Sequence, residues 1–590
     1  MIVKMKEVFL LIFRKDVDLA LKMLRKLGLI HVKHLVKSLP DTMEDLEEEL
    51  TMLSKALEIV SDFNAPDVFA SKDKVYSLAE KAIHTSAKRN TLITDIQELK
   101  ERVHWYKKWG NFSLESLEVL KKSGVLIKFY EVPRSELNKI LSECLAYVIY
   151  QEEGKVGIAF IGKDKEESLS YSEVKKPEAS LSQINEKIIK LEKELSIDNQ
   201  QLLEIAAYKE CFIGQKQKIL KTVKFYNVKS GMLYKKGIYA LRGFCPVESE
   251  GKIIQVAQEQ GWAAMTQNPK NIDEVPTLIK NFHWVELIRP LFKFMGVIPG
   301  YKEYDISLWF LLFFSLFFAM LIGDAGYGML FLISTFFLRR KFKKFPKEPF
   351  FLVYVLSLAT IIWGAATGTW FGSERIAQLP FLNLLVIEKI NSFVGSNQKF
   401  MINLCFLIGA VHLTIARGIR IFRYSNSLIA LAQAGWMLII WCAFFFAGKF
   451  ALNRPLPEYA LTLGGVGACL VVLFSHPQKN ILKSIGLSLA NLPLKVVNSF
   501  ADIISYLRLF AVGYATVAVA MTFNDIALSI GFGGIISGLG AVAVLFLGHA
   551  LNIILGLIAV IVHGVRLNLL EFSGNLDMEW SGIKYEPFRE

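Results

Sequence analysis

The sequence predicts a mainly α-helical protein in two unlike halves, the second of which is a polytopic membrane domain. Hydrophobic residues make up 53% of the 590 residues, and the mean hydropathy is +0.36. Residues 1–300 are rich in Lys and Glu and hold no apolar run long enough to cross a bilayer, whereas from Ile306 onward such runs follow one another. We therefore expect a cytoplasmic domain over residues 1–300 and a transmembrane domain over residues 301–590.

The composition argues against several other classes of protein. The six cysteines are scattered without a CxxC pair, so the sequence predicts neither a disulfide framework nor a metal site, and no cofactor. There is no GxxxxGK[ST] loop and no GxGxxG after a strand, which predicts that this chain binds no nucleotide and does not hydrolyse ATP itself. The net charge of +13 is not gathered into a basic tail or an aromatic-interleaved patch, so we expect no nucleic-acid partner.

The sequence of the cytoplasmic half predicts two α/β lobes joined by a long helical shaft. Strand and helix patterns alternate in residues 1–40 with 222–290, which form one lobe, and in residues 111–175, which form the other. Three stretches between them carry apolar residues at spacings of three and four with Glu and Lys outside: Met43 to Val60, Leu92 to Tyr106 and Leu181 to Leu195. The simplest arrangement is a long antiparallel coiled coil that acts as a spacer or docking rod.

Basic clusters between apolar segments set the predicted topology. They comprise Arg339 to Lys344, then Arg417, Arg420 and Arg423, then Lys479, Lys483 and Lys495, and we expect these three loops in the cytoplasm. A single helix over residues 306–338 would place the first cluster outside. Two short crossings avoid this, with a reversal at Gly323, Asp324 and Gly326, where glycines allow a tight turn and Asp324 can accept hydrogen bonds from turn amides. One kinked helix is the alternative.

The remaining crossings are predicted near residues 350–372, 400–416, 427–449, 458–475, 496–523 and 533–572. The total is eight, with both termini in the cytoplasm. The last two are long and tilted. At about 1.5 Å per residue, the forty residues of the eighth run near 60 Å, roughly twice the hydrocarbon core, so this helix must tilt or project into the cytoplasm.

Two arginines lie inside these last segments, Arg508 in the seventh and Arg566 in the eighth. A charge near the bilayer centre costs about 2.5 to 3.5 kcal/mol on insertion scales. Helical spacing forward from Arg508 gives a face of small residues, namely Ala511, Ala515, Ala518 and Thr522. Helical spacing backward from Arg566 gives a stripe of polar and small residues, namely His549, Asn552, Gly556, Ala559 and His563. Polar Asn498, Asp502 and Ser505 precede Arg508, where a water-filled cleft could enter.

A fixed arginine in such a place suits an ion path. Its guanidinium is effectively always protonated, so it cannot relay protons but attracts an ionised carboxylate on a moving partner and blocks a direct leak of cations. The alternatives are a structural ion pair of Arg508 with Asp502 or another acid, and snorkelling of Arg566 to the interface. Asn498, Asp502, Ser505 and Asn552 could instead be interhelical hydrogen-bond partners, and His563 a satisfied polar residue.

At these residues the chain resembles the membrane subunit of V-type and archaeal-type rotary ATPases, subunit a or subunit I, over essentially its whole length. The resemblance rests on the following segments: Gly323 to Gly328, residues 361–364 and 368–372, Ser505 to Leu509, His563 to Leu567, and Tyr585 to Phe588. Some relatives carry acids at two positions that here are Gly556 and Leu494. The length, without large insertions, is similar to the bacterial and archaeal branch.

The resemblance implies the function and the partners. Arg508 would be the essential arginine opposed to the carboxylates of a rotor ring of proteolipid subunits, and Arg566 a supporting one, with Asn498 and His563 at polar positions. The lobes would dock peripheral-stalk subunits of the E and G type, and a central-stalk socket subunit is a further possible partner. The expected function is a stator that conducts H⁺ or Na⁺ between two half-channels. The competing hypotheses are a secondary transporter and a purely structural stalk anchor.

Overall fold

The structure is a computed structural model that describes residues 1–36, 42–63, 65–66, 68, 72–152, 154–162, 169, 171–343, 345–475 and 481–589. Lys344 and Lys479 of the predicted basic clusters lie outside the described residues. The chain is mainly helical, as predicted. It forms two compact units, one from residues 1–11, 27–33 and 242–589 and the other from residues 12–26 and 34–241. The predicted boundary at residue 300 stays a prediction.

The first half contains both sheet and helix. Its elements are, in chain order, β1 (Met5–Phe13), α1 (Val17–Leu27), β2 (His31–Lys33), α2 (Thr42–Ser61), α3 (Lys72–Trp109), α4 (Leu114–Lys122), β3 (Leu126–Pro133), α5 (Leu137–Glu143), β4 (Ala146–Glu152), β5 (Lys155–Gly162), α6 (Leu181–Ala206), α7 (Lys209–Ser230), β6 (Leu233–Lys235), β7 (Ile238–Pro246), α8 (Glu250–Glu259), β8 (Ala263–Gln267), β9 (Pro276–Thr277) and α9 (Arg289–Met295). One sheet has the order β2-β7-β1-β8, with β6 paired to β7, and the other has the order β3-β5-β4.

Helices α3 and α6 pack side by side in opposite directions. Lys88 pairs with Asp198 at 3.4 Å and Lys100 pairs with Glu192 at 2.8 Å, so partner numbers fall along α6 as they rise along α3. The predicted stripes supply the buried residues, including Leu99, Tyr106, Ile184 and Ile188. The apolar spacing of three and four thus positions two antiparallel helices.

The second half consists of helices with short connections. Its elements are α10 (Ser307–Ile322), α11 (Ala325–Lys341), α12 (Glu348–Thr367), α13 (Glu374–Ala377), α14 (Pro380–Asn383), α15 (Gln398–Arg423), α16 (Ile429–Leu452), α17 (Glu458–Phe474), α18 (Ile481–Ser505), α19 (Leu507–Ile530), α20 (Ile535–Ala559), α21 (Ser573–Asn575) and β10 (Ile583–Lys584). Two π-helical segments, Val560–Gly564 and Leu567–Phe572, continue α20.

The number of membrane crossings differs from the prediction. Among the described residues, five helices are long and apolar enough to cross, namely Glu348–Thr367, Gly395–Arg423, Ile429–Leu452, Ser488–Ile530 and Ile535–Asn575, and the bent pair α10 and α11 brings the total to six if counted as one span. The predicted eight crossings are therefore not confirmed. The difference lies in α10, α11 and α17, which have 16 or 17 residues and reach only about 24 to 26 Å. The chain is nevertheless a multi-pass membrane protein.

Two predicted boundaries are wrong. Arg417, Arg420 and Arg423 do not lie in a loop, because α15 continues through Arg423. The seventh predicted segment, residues 496–523, begins earlier, at Ile481 of α18; a turn at Tyr506 separates α18 from α19, and the two together supply the candidate span Ser488–Ile530. Basic side chains at the end of a helix reach polar surroundings without leaving helical geometry, which explains the first difference.

Candidate functional site

The predicted reversal is built around Gly323 and Asp324. Helices α10 and α11 meet there at a bend of 118°. Gly323 ends α10 with φ +69°, a left-handed conformation that favours glycine. The Asp324 carboxylate caps α11 by accepting from the amides of Gly326 at 2.8 Å and Tyr327 at 3.2 Å.

The same carboxylate also holds the segment after α12. The amides of Phe371 and Gly372 donate to Asp324 at 2.9 and 2.8 Å, so one buried side chain accepts four backbone hydrogen bonds. Gly364 of α12 packs directly on the reversal, since a Cβ at that position would lie 2.1 Å from the amide nitrogen of Ala325. Asp324 therefore ties the reversal to the end of α12.

Arg508 lies just after the turn at Tyr506, as the second residue of α19. Its Nη2 forms an ion pair with Glu571 Oε1 at 2.6 Å, and its Nε donates to the carbonyl of Ser505 at 2.9 Å. The Arg508 side chain is 23% exposed, and the Glu571 side chain only 5%. The acid that pairs with Arg508 is thus Glu571 rather than Asp502.

Arg566 converges on the same acid. Its Nε lies 3.8 Å from Glu571 Oε1, and its side chain is 53% exposed. Arg566 and Glu571 are five positions apart in the sequence. The π-helical segment Leu567–Phe572 places them on one face of the helix, because π-helical hydrogen bonds join residues five apart. Among the described residues, the other Glu571 oxygen has no hydrogen-bond partner.

Asn575 extends this group. Its amide nitrogen donates to Asp502 at 3.1 Å and to the carbonyl of Glu571 at 2.8 Å, while its side-chain oxygen accepts from Arg417 at 2.7 Å. Arg417 also donates to Gln433 at 3.0 Å and lies over the ring of Trp436. We call Arg417, Asp502, Arg508, Arg566, Glu571 and Asn575 the arginine cluster.

The other predicted polar residues differ in their surroundings. Ser505 donates its hydroxyl to the carbonyl of Ala501 in its own helix, and Asn498 is exposed on α18. His563 is half-buried, and among the described residues its Nδ1 has no partner. The predicted small-residue face of α19 is open, since Ala511, Ala515 and Thr522 are exposed.

Asn552 lies in a second polar group, with residues next to the reversal. Its amide nitrogen donates to the Tyr327 hydroxyl at 3.0 Å and to the carbonyl of Thr516 at 2.8 Å. The Tyr327 hydroxyl is 2.7 Å from His549 Nδ1, and His549 Nε2 is 3.1 Å from Asn524 Oδ1. We call Asn552, Tyr327, His549 and Asn524 the tyrosine–histidine chain.

Sequence reasoning missed four members of these groups: Glu571, Asn575, Tyr327 and Asn524. A signal existed for Glu571, since a carboxylate in the apolar run after Arg566 is as costly as the arginine itself. The position that carries an acid in some relatives, Gly556, packs against Ile322 here, with 3.0 Å between a Cβ built on Gly556 and Ile322 Cδ1.

Comparison with known proteins identifies relatives over the full length of the chain. A V-type ATP synthase subunit I of Borreliella burgdorferi is 31% identical and covers all of both chains, and V-type ATP synthase subunit I 1 of Treponema pallidum is 28% identical with the same coverage. An A-type ATP synthase subunit I of Methanocaldococcus jannaschii is 24% identical over 81% of this chain and 71% of its own.

Among solved structures, the crystal structure of the cytoplasmic N-terminal domain of subunit I, a homologue of subunit a of V-ATPase, matches 44% of this chain and all of its own, at 15% identity and a TM-score of 0.26. No protein-family model matches the chain. The full-length identity to the Borreliella protein decides the assignment: the chain belongs to the V-type and A-type ATP synthase subunit I family, membrane subunits of the rotary ATPase.

Proposed function

We propose that the chain is the stator of a rotary ATPase and that Arg508 is the fixed charge past which the carboxylates of a rotor ring move. The observation that carries the proposal is the placement of Arg508 on a helix whose small-residue face is open. Ala511 and Ala515, one and two turns beyond Arg508, are exposed. A neighbouring helix can approach such a face closely, which brings its carboxylate within reach of the guanidinium.

The electrostatics of the arginine cluster suit this role. Arg508 is held by one carboxylate on its own chain, and its side chain remains 23% exposed. A ring carboxylate that arrives ionised competes with Glu571 for the guanidinium, and it stays ionised while it passes because the positive charge favours that form. Arg566 and Arg417 add positive charge around Glu571 and Asn575, so part of the charge on Glu571 stays compensated when Arg508 turns away.

The rest of the assignment follows the family. The ion, H⁺ or Na⁺, enters one half-channel and leaves by the other after a turn of the ring. The N-terminal half docks E- and G-type peripheral-stalk subunits, and a central-stalk socket subunit binds on the cytoplasmic side. Both termini are cytoplasmic in the plasma membrane. This chain binds no nucleotide, because ATP is turned over by other subunits.

Replacement of Arg508 by Ala tests the proposal. In the assembled complex, reconstituted in vesicles, we expect ATP-driven ion transport to fall by more than about tenfold, a barrier change of at least ~1.4 kcal/mol. Copurification of the ring and stalk subunits measures assembly. Arg340→Ala is the matched control, because Arg340 lies in the last turn of α11 and its guanidinium lies over the ring of Phe336. Normal transport by an assembled Arg508→Ala complex would contradict the proposal.

A further inference from the structure

The tyrosine–histidine chain is a continuous hydrogen-bonded path that contains no residue of the arginine cluster. It joins α11, α19 and α20 through Tyr327, Asn524, and His549 with Asn552. The bonds become more exposed along the path: those of Asn552 are buried, those of His549 are partly buried, and the bond from the Asn524 amide to the carbonyl of Phe371 is exposed. The path therefore leads from the packed interior to the surface.

The donors and acceptors along the path fix its polarity. The Asn524 amide nitrogen donates to the carbonyl of Phe371, so the Asn524 oxygen faces His549 Nε2 and accepts a hydrogen bond from it. A neutral ring with its proton on Nε2 presents a bare Nδ1, which accepts from the hydroxyl of Tyr327 at 2.7 Å. The Tyr327 oxygen in turn accepts from Asn552. One protonation pattern therefore satisfies each of these hydrogen bonds. In it the Tyr327 hydroxyl and the His549 imidazole are consecutive members of one hydrogen-bonded chain.

The path lies at the helix ends remote from the basic clusters. Tyr327 is at the opposite end of α11 from Arg339, Arg340 and Lys341, and His549 precedes Arg566 by seventeen residues. Basic residues mark the cytoplasmic side, so the path lies on the outer side. Its inner end meets α19 at Thr516, eight residues or about 12 Å along the helix from Arg508, and its outer end meets α19 at Asn524, eight residues further.

The inner end also carries an open acceptor. Asn552 is 2% exposed, and among the described residues its side-chain oxygen has no hydrogen-bond partner. A buried amide oxygen that accepts no hydrogen bond is costly, so it readily accepts one from a group that carries a proton. It lies beside the Tyr327 hydroxyl, at the point where a proton coming from the arginine side reaches the path.

We propose that the tyrosine–histidine chain is the outer proton-conducting leg of the stator, and that the transported ion is H⁺. The inference rests on the proposed function. A proton that arrives at the Tyr327 oxygen lets this residue pass its own hydroxyl proton to His549 Nδ1, and the imidazolium then loses its Nε2 proton to a water that displaces the Asn524 oxygen. One proton enters and one leaves. The ring, now protonated on Nδ1, regains its starting tautomer by swinging away from Tyr327, so that water takes the Nδ1 proton while Nε2 binds another.

The surroundings favour a proton over Na⁺. Hard cations bind sites that offer several oxygen ligands at once, whereas here a ring nitrogen interrupts the oxygens of Tyr327 and Asn524.

Two substitutions that keep the packing test the inference. His549→Gln retains an acceptor for Tyr327 and a donor for Asn524 but cannot become a cation, and Tyr327→Phe removes only the hydroxyl. In reconstituted complex we expect each to lower ATP-driven H⁺ uptake by more than about tenfold while the subunits still copurify. Tyr354→Phe on α12 is the matched control and should transport normally.

The outcomes separate a proton path from structural hydrogen bonding. Normal H⁺ uptake by His549→Gln would overturn the inference, because that variant keeps the bonds, and so would ATP-driven uptake of ²²Na⁺ in place of H⁺. If Tyr327→Phe fails to assemble, His549→Gln decides alone. Loss of transport in Arg508→Ala together with normal transport in His549→Gln would overturn this inference and leave the proposed function standing.

Discussion

At the residue scale, the pairing of Arg508 with Glu571 explains how an arginine is kept in an apolar helix. Each charge would be costly alone, and the 2.6 Å ion pair lets each offset the cost of the other. Arg566, at 3.8 Å, shares the same oxygen. Glu571 is therefore the residue on which the stability of the arginine cluster depends, whereas the proposed function assigns transport to Arg508.

This separation of roles predicts the behaviour of a double variant. Arg508→Ala leaves Glu571 buried without its closest partner, so we expect a loss of about 3 kcal/mol of stability, seen as a lower melting temperature of the purified complex. Adding Glu571→Gln removes the stranded charge and should recover most of that loss. Ion transport should stay absent in both. A double variant no more stable than Arg508→Ala would contradict the role given to Glu571.

Some of the site could be predicted from the sequence and some could not. The cost of burying a charge singles out Arg508 and Arg566, and glycines around an acid single out the reversal at Asp324. The link to Glu571 escaped detection because a spacing of five fits neither 3.6 residues per turn nor a strand, and only the π-helical geometry of Leu567–Phe572 makes it a contact. Tyr327 and Asn524 reach His549 from other helices, which periodicity along one segment cannot reveal.

At the element scale, the reversal between α10 and α11 depends on close packing of α12. Gly364 admits the backbone of Ala325, and Asp324 fastens Phe371 and Gly372 beyond the end of α12. The backbone amide of Ala325 lies where a side chain at position 364 would begin. Because that amide is rigid, the clash could be relieved only if the helices moved apart. The bend is thus a packed structure, unlike a flexible hinge.

We therefore predict that Gly364→Ala is strongly destabilising. A methyl group 2.1 Å from a backbone nitrogen should cost about 3 kcal/mol, the upper end of the range for overpacking. The yield and the melting temperature of the complex measure this. Gly418→Ala, in helix α15, is the matched control: a Cβ there meets nothing within 4 Å, and the change should be neutral or slightly stabilising. Equal effects of the two substitutions would contradict the account.

At the scale of the whole molecule, the end of the chain returns to its beginning. The Tyr585 hydroxyl donates to the carbonyl of Leu29 at 2.7 Å, the Phe588 amide donates to Ile30 at 2.8 Å, and the Glu586 amide donates to His31 Nδ1 at 3.0 Å. Strand β10 also pairs with β9. The sequence could not reveal this attachment, because each bond joins residues about 555 positions apart and has a backbone group on at least one side, which no periodic pattern encodes.

The attachment should depend on pH through His31. Burial lowers the pKa of His31 from its ordinary value of 6.5, although the Glu586 backbone carbonyl, 3.1 Å from Nδ1, and the Glu586 carboxylate oppose the shift. A detached ring binds a proton more readily, so the contribution is fully present above pH 6.5 and is lost as pH falls below it. We expect faster amide exchange at Glu586 and Phe588 at about pH 5.5 than at about pH 7.5, beyond the intrinsic pH effect. In His31→Gln this difference should disappear.

The shortness of α10 and α11 has a consequence for the driving force of transport. Each reaches only about 24 to 26 Å, below the roughly 30 Å of a hydrocarbon core, so lipid beside them thins or their ends draw polar groups inward. Gly513 places α19 against α10, where a Cβ would lie 2.3 Å from the carbonyl of Met320. A membrane voltage that falls over a layer about one-seventh to one-fifth thinner produces a field about one-sixth to one-quarter stronger, and under the proposed function this field acts on each charge that passes Arg508.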